Sequence, residues 1–222
     1  MGQKIHPTDF RIGITKQCSM NWYANCRTFS AILKDDYRIR KLFEQKIEQK
    51  KGSPFYRNAG IVKLEIQRKI NQLEIIIHAS RPKALFDATS QTNFLVSLKN
   101  DLNGFVFKPT QIKIKVLRVV LSMTESSLIA TYIAGRLEKR VAFRKVISKT
   151  ISLLQRCNVL KGFKVQVAGR LNGAEIARSE WVRNGRVPLQ TLNVKISYTS
   201  HRAYTTYGIV GIKIWLFTKK SN

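Results

Sequence analysis

Apolar positions recur along this chain with two different periods, and the changes of period divide it. Between about residues 28 and 50, Phe29, Ile32, Leu33, Ile39, Leu42, Phe43 and Ile47 fall at helical spacing with charged residues between them, which predicts an amphipathic helix. Gly52-Ser53-Pro54 is expected to end it. Residues 62–67 (Val-Lys-Leu-Glu-Ile-Gln) then alternate as a half-buried strand does, and a turn near Asn71 leads to a second strand from Leu73 to His78. After Pro82, the positions of Leu85, Phe86, Phe94, Leu95, Leu98 and Leu102 predict helix in two pieces, and residues 112–116 alternate again. Residues 28–120 thus read as one domain of order α-β-β-α-α-β.

The remainder, residues 121–222, predicts a second domain. Ser122 and Glu125 form a capping-box pattern at a helix start. Ile129, Ile133 and Leu137 make one apolar row, but Arg140 falls on its continuation, and a new stripe of Val146, Ile147, Ile151 and Leu154 begins at Phe143. Two helices meeting at a bend over residues 140–143 follow from this break. Strands are expected at 163–168, at 176–183 after an Asn172-Gly173 hairpin turn, at 194–198 after the turn Gly185-Arg186-Val187-Pro188, and finally from Thr206-Tyr207-Gly208 through Leu216. The fold class is therefore α+β, the second domain having four strands with two helices packed on one face. Residues 1–27 carry neither period and read as an irregular basic arm, in which Lys4, Arg11 and Lys16 interleave with His6, Phe10, Trp22 and Tyr23.

Charge then says what such domains are for. The chain holds 40 Lys+Arg against 13 Asp+Glu, a net charge of +27 over 222 residues. Residues 1–120 hold 22 basic and 9 acidic residues and residues 121–222 hold 18 and 4, so both domains are basic. With 44% hydrophobic residues the chain can build cores. Folded domains with this much uncompensated charge are completed by a polyanion, and nucleic acid fits better than a lipid surface when the charge is spread over both. Candidate RNA contacts are Lys4, His6, Arg11 and Trp22 in the arm, Lys161 just before and Lys164 within the strand at 163–168, and the hairpin arginines Arg170, Arg178, Arg183 and Arg186. Arginine suits phosphate because its planar fork matches two oxygens. Trp181 and Tyr198 lie within apolar alternations, as core residues do, although their rings can also stack on bases. A second candidate is the helix beginning at Phe143. Lys145, Lys149 and Arg156 lie opposite its apolar stripe with Arg144 on the flank, and no acid stands between 144 and 156.

Other chemistries find little support. Cys18, Cys26 and Cys157 are odd in number and widely spaced, and with His6, His78 and His201 they give no metal-ligand spacing. No cofactor or metal is expected. No apolar stretch approaches the ~18 residues that span a bilayer. The N-terminus has neither a signal core nor a Ser/Arg-rich transit pattern. No phosphate-binding Gly-rich loop or nucleophile elbow exists, and the adjacent Asp35 and Asp36 point apart on a helix, so no enzyme is expected.

Several motifs are specific enough to carry a resemblance. Gly169-Arg170-Leu171-Asn172-Gly173-Ala174-Glu175-Ile176-Ala177-Arg178, Gly185-Arg186-Val187-Pro188-Leu189, and Thr205-Thr206-Tyr207-Gly208-Ile209-Val210-Gly211 stand in that order. With the opening Met1-Gly2-Gln3-Lys4-Ile5-His6-Pro7 and the run Leu137-Glu138-Lys139-Arg140-Val141-Ala142-Phe143-Arg144-Lys145, the chain resembles the small-subunit ribosomal protein number three of bacteria and plastids. The resemblance implies a type II KH-like first domain followed by the four-stranded α+β domain. It implies a place in the subunit head, bound to ribosomal RNA beside ribosomal proteins ten and fourteen, and lining the messenger RNA entrance with proteins four and five. The family's basic residues on the second-domain helix help unwind structured messenger. Two of its three cations fall on Arg144 and Lys145; the third falls on Ser148, and the adjacent Lys149 sits ~100° away around a helix. The KH loop normally carries G-x-x-G, whose glycines let the backbone clamp nucleotides. Here those positions are Asp87, Ala88, Thr89 and Ser90, so this loop is not expected to bind RNA in the usual manner. The missing tail and transit peptide suggest a plastid-encoded copy, working in the chloroplast stroma, over one in a bacterial cytoplasm. The alternative function is a free-standing KH-type RNA-binding protein or RNA chaperone.

Overall fold

The computed structural model describes residues 4–49, 59–69, 71–85, 94–103, 111–120 and 124–219. The chain forms two compact units, Cys18–Val120 and Met1–Gln17 together with Leu121–Asn222.

In the Cys18–Val120 unit, helix α1 (Cys26–Gln49) and helix α2 (Phe94–Asn103) share a core with a four-stranded sheet. The strands are β1 (Met20–Asn21), β2 (Ile61–Lys69), β3 (Gln72–Ala79) and β4 (Gln111–Arg118), in that order across the sheet. β1 runs parallel to β2, β2 antiparallel to β3, and β3 parallel to β4. Alternation places Leu64 and Ile66 of β2 in the core, and Ile39 and Phe43 of α1 meet Leu98 and Leu102 of α2 there. Asn71 turns the β2–β3 hairpin at φ 61°, a left-handed conformation that Asn tolerates through its short polar side chain. The helix expected after Pro82 is a 3-10 turn over Pro82–Leu85 and then α2; residues 86–93, like the stop signal at 52–54, lie outside the described residues.

The second unit holds α3 (Ser126–Glu138), α4 (Phe143–Gln155) and strands β5 (Leu160–Gly169), β6 (Arg178–Gly185), β7 (Ile196–Thr205) and β8 (Gly208–Thr218). The sheet order is β6-β5-β8-β7, antiparallel throughout. Both helices share one core with the inner sheet face, where Phe163, Val165, Val167, Ile212, Ile214 and Leu216 meet Ile129, Ile133, Val146 and Leu154. The break in the apolar row is real: α3 ends at Glu138 and Arg140 takes φ 59° before α4 starts.

Three expectations need correction. The capping box is not what starts α3. The helix begins at Ser126 with Glu125 making no side-chain cap, and Ser122 lies outside the described residues. The Ser126 hydroxyl instead meets Ser197 Oγ at 2.8 Å and Thr199 Oγ1 at 2.6 Å, so β7 fixes the helix start. Asn172-Gly173 does not close a two-residue hairpin. Leu171–Gly173 is a 3-10 turn and β6 begins only at Arg178. Asn172 has a second employer, since its Oδ1 accepts the first amide of α4, that of Phe143, at 3.3 Å. Finally, residues 1–27 do not form one free arm. Met1–Gln17 groups with the unit containing 121–222, while Met20 and Asn21 pair with Ile66 and Gln67 and α1 already starts at Cys26.

Candidate nucleic-acid interface

The helices cover one face of the second unit's sheet, and antiparallel pairing dictates what the opposite face carries. Residues directly opposite each other project to the same side. Because Val165 and Val167 point to the helices, Lys164 and Gln166 point away. One row across the sheet therefore reads Arg183, Lys164, Trp215, Tyr198, and the next reads Trp181, Gln166, Lys213, Ser200. Arg202 follows one row on, opposite Gly211. Among the described residues on this side of the four strands there are four cations and no carboxylate.

The side chains interleave. Lys164 Nζ lies 4.9 Å from the Trp181 ring centre and 5.1 Å from that of Trp215. Tyr198 packs on Trp215 with centroids 5.2 Å apart, and His6 meets Tyr198 edge-on at 4.7 Å. Burial, reinforced by repulsion from Lys4 and Arg183, holds the Lys164 ammonium below the usual lysine range. Trp215 is buried, but Trp181 is 58% exposed and so does not belong to a core. Its alternation is that of the outward face. Trp215, Lys213 and Arg202, none of them a candidate from the sequence alone, complete this face. Lys213 was the available signal, since it interrupts the apolar run 209–217 in phase with the outward positions.

On α4, Arg144, Lys145, Ser148 and Lys149 are all exposed, while Phe143, Val146, Ile147 and Leu154 are buried. The ridge is thus formed, with Arg144 Cζ 5.8 Å from the Phe143 ring.

The remaining candidates are dispersed. Arg178 points to the helix side of β6, where its guanidinium lies 5.9 Å from Phe143 and its Nε 3.3 Å from Glu180. Arg170 donates to the Ala174 carbonyl at 2.9 Å and lies beside Tyr207. Lys161 is exposed beside Phe217, and Arg186 is exposed where its backbone crosses Gly162 so closely that a Cβ there would clash. Arg183 alone of the four hairpin arginines joins Lys164 on the outer face. Lys4 is exposed.

Two residues assigned to RNA are instead structural. Arg11 is 1% exposed, and its guanidinium donates to the carbonyls of Pro7 (2.8 Å), Pro188 (3.4 Å), Leu189 (2.7 Å), Thr191 (2.9 Å) and Val194 (3.1 Å). Its charge ties the N-terminal segment to the β6–β7 connection. Burial lowers its pKa, and carbonyl dipoles replace water around it. Trp22 is half-buried in the other unit. Its indole N–H donates to Asp36 Oδ2 at 2.7 Å and its ring packs on Phe29. Asp36, itself 1% exposed, also receives Arg68 at 2.6 Å and 3.1 Å. Asp35 is likewise buried, so this acidic pair is part of the interior.

Asp87, Ala88, Thr89 and Ser90 lie outside the described residues. Among the described residues no His/Cys/Asp/Glu group has the arrangement to hold a metal, and no helix is long and apolar enough to cross a membrane.

Comparison with known proteins adds identity to this geometry. The family model described as ribosomal protein S3, C-terminal domain, matches residues 133–216. The chain is 51% identical over 220 residues to small ribosomal subunit protein uS3c of Emiliania huxleyi, covering 99% of both chains. It is 43% identical over 217 residues to uS3c of Pyropia yezoensis, covering 98% of this chain and 89% of the relative. It is 45% identical over 217 residues to uS3 of Nostoc punctiforme, covering 98% and 81%.

Proposed function

The chain belongs to the uS3 family of small ribosomal subunit proteins, and on that premise we propose that it is a structural constituent of the small subunit that binds ribosomal RNA through basic surfaces of its folded units. The observation that carries this reading is the sheet face with, among the described residues, four cations and no carboxylate. Like charges directly opposite on neighbouring strands, as Lys164 and Arg183 are, destabilise a sheet unless an anion joins them. Lys4, Lys161, Arg170 and Arg186, all exposed, extend the contact. Arg178 contributes from the helix side.

The order helix, two antiparallel strands, helical segments, and a parallel fourth strand supports a type II KH-like reading of the Cys18–Val120 unit. Asp87 would repel phosphate and neither clamp glycine is present, so this loop does not grip nucleotides. Footprinting should find no protection attributable to residues 87–90. The exposed ridge Arg144, Lys145 and Lys149 faces messenger RNA near its entrance, with ribosomal proteins four and five as neighbours there and ten and fourteen in the head. The work is positional rather than catalytic. The match to uS3c relatives favours the plastid ribosome.

The test is sedimentation. In a gradient of lysate the chain should run with small subunits, and when those are dissociated it should follow their RNA-protein core. A chain that stays at the top of the gradient would support the free-standing chaperone instead.

A further inference from the structure

We infer that the outer face of the β6-β5-β8-β7 sheet is a platform for an unpaired RNA segment, with one base stacked on Trp181 and adjoining phosphates held by Lys164, Arg183 and Lys213. The inference rests on the RNA-binding reading above and goes further in specifying single-stranded over double-stranded RNA.

Three observations carry it. The first is exposure. Trp215 and Trp181 flank the same ammonium, yet Trp215 is 8% exposed and Trp181 is 58% exposed. An indole on an edge strand, held by Lys164 from one side, keeps much of its ring open to a partner. The second is register. Trp181 shares its row with Gln166, Lys213 and Ser200, and the neighbouring row holds Arg183 and Lys164. Adjacent strands lie ~4.8 Å apart, so the cations reach the backbone of a base on Trp181. The third is charge. This face carries only cations among its charged described residues, and Lys4 adds another beside Lys164.

These features select among ligands. A duplex hides its base faces in the stack and offers phosphates, 2′-hydroxyls and base edges, on none of which an exposed indole can stack. A single strand offers phosphates and open base faces together, and stacking on an aromatic ring is available to every base. A protein segment would need carboxylates for the cations and would leave the row of hydrogen-bonding side chains without its natural complement.

The test uses the full chain and two fluorescein-labelled RNAs of equal length, an oligouridylate and a stable hairpin, followed by anisotropy at fixed ionic strength. Trp181→Ala should weaken oligouridylate binding about tenfold, as loss of one stacked base does, and leave hairpin binding unchanged. Trp181→Phe, which keeps a ring, should recover most of the loss, showing that folding is not at issue. Lys164→Ala with Arg183→Ala should weaken oligouridylate binding and lower its salt dependence. If Trp181→Ala weakens both RNAs equally, or neither, the platform is refuted while general RNA binding stands. If the unaltered chain binds neither RNA, the RNA-binding reading falls and the platform with it.

Discussion

Replacing Arg11 with Ala removes a buried guanidinium whose partners are all main-chain carbonyls. Those carbonyls belong to Pro7, on its own segment, and to residues 188, 189, 191 and 194, nearly two hundred positions away. A hydrogen bond from a charged donor contributes about 1.5–3 kcal/mol, and a buried acceptor left without a partner costs about 1–3 kcal/mol. Water entering the vacated space would satisfy some of the carbonyls, and the substitution also relieves the cost of burying the cation. A net loss of about 3–5 kcal/mol follows. For a unit near 100 residues, each kcal/mol shifts Tm by about 4–8 °C, so the melting of this unit should fall by at least about 12 °C. Arg11→Lys keeps the charge but offers three donors on a point rather than five on a fork, and should lose about half as much. Circular dichroism melting gives the stability, and hydrogen exchange locates it. Amides in residues 4–17 and in the 186–195 connection should exchange faster together. A variant that melts within a couple of degrees of the parent, with exchange unchanged in both segments, would refute the anchoring role.

Other expectations follow from the same structure. Replacing Arg144, Lys145 and Lys149 with Ala should slow translation of hairpin-containing messengers several-fold more than unstructured ones; equal slowing would remove unwinding from the account. Asp36→Asn should cost about 3 kcal/mol, because it leaves Arg68 without its countercharge, read as a lower urea midpoint at constant m-value. Burial raises the Glu65 pKa, but Lys63 and then His78 more than offset this and the net shift is downward. Its folded pKa is thus depressed, so its contribution is present above the usual carboxylate range and is lost as pH falls through the folded value. Urea midpoints between neutral and acid pH should therefore fall less steeply in Glu65→Gln than in the parent, and parallel profiles would count against the ion pair.

Elements whose periodicity belongs to their own residues were legible in the sequence. The α4 stripe that begins at Phe143 packs on the core as its spacing requires, with Val146, Ile147 and Leu154 buried and Ile151 partly so, and the clash at Arg140 correctly marked the break between helices. What escaped was decided by residues far apart in sequence. Asn172 looks like a hairpin residue locally, but its carboxamide is taken by the start of α4. Arg11 looks like a phosphate ligand in a basic arm, and nothing near it in sequence announces the acceptors that bury it. Both errors come from treating a polar side chain as solvent-facing when a distant backbone supplies its partners.

The interface shows the same division. That positive charge is concentrated on folded units could be counted. Which arginines act together could not, because period-two alternation separates Arg178 from Arg183 onto opposite sheet faces while strand register brings Lys213 and Trp215 beside Lys164. Trp181 sits in an alternation that seemed inward, and only the phase set by Val165 and Val167 turns it outward.

The salt dependence of binding between the purified full chain and small-subunit ribosomal RNA tests most directly whether positive surface charge is the working part of this protein. A set of about 6–10 phosphate contacts predicts tight binding at low ionic strength that weakens about 10³–10⁵-fold between roughly 50 and 200 mM salt. An affinity indifferent to salt, or no binding even at the lowest ionic strength, would contradict it.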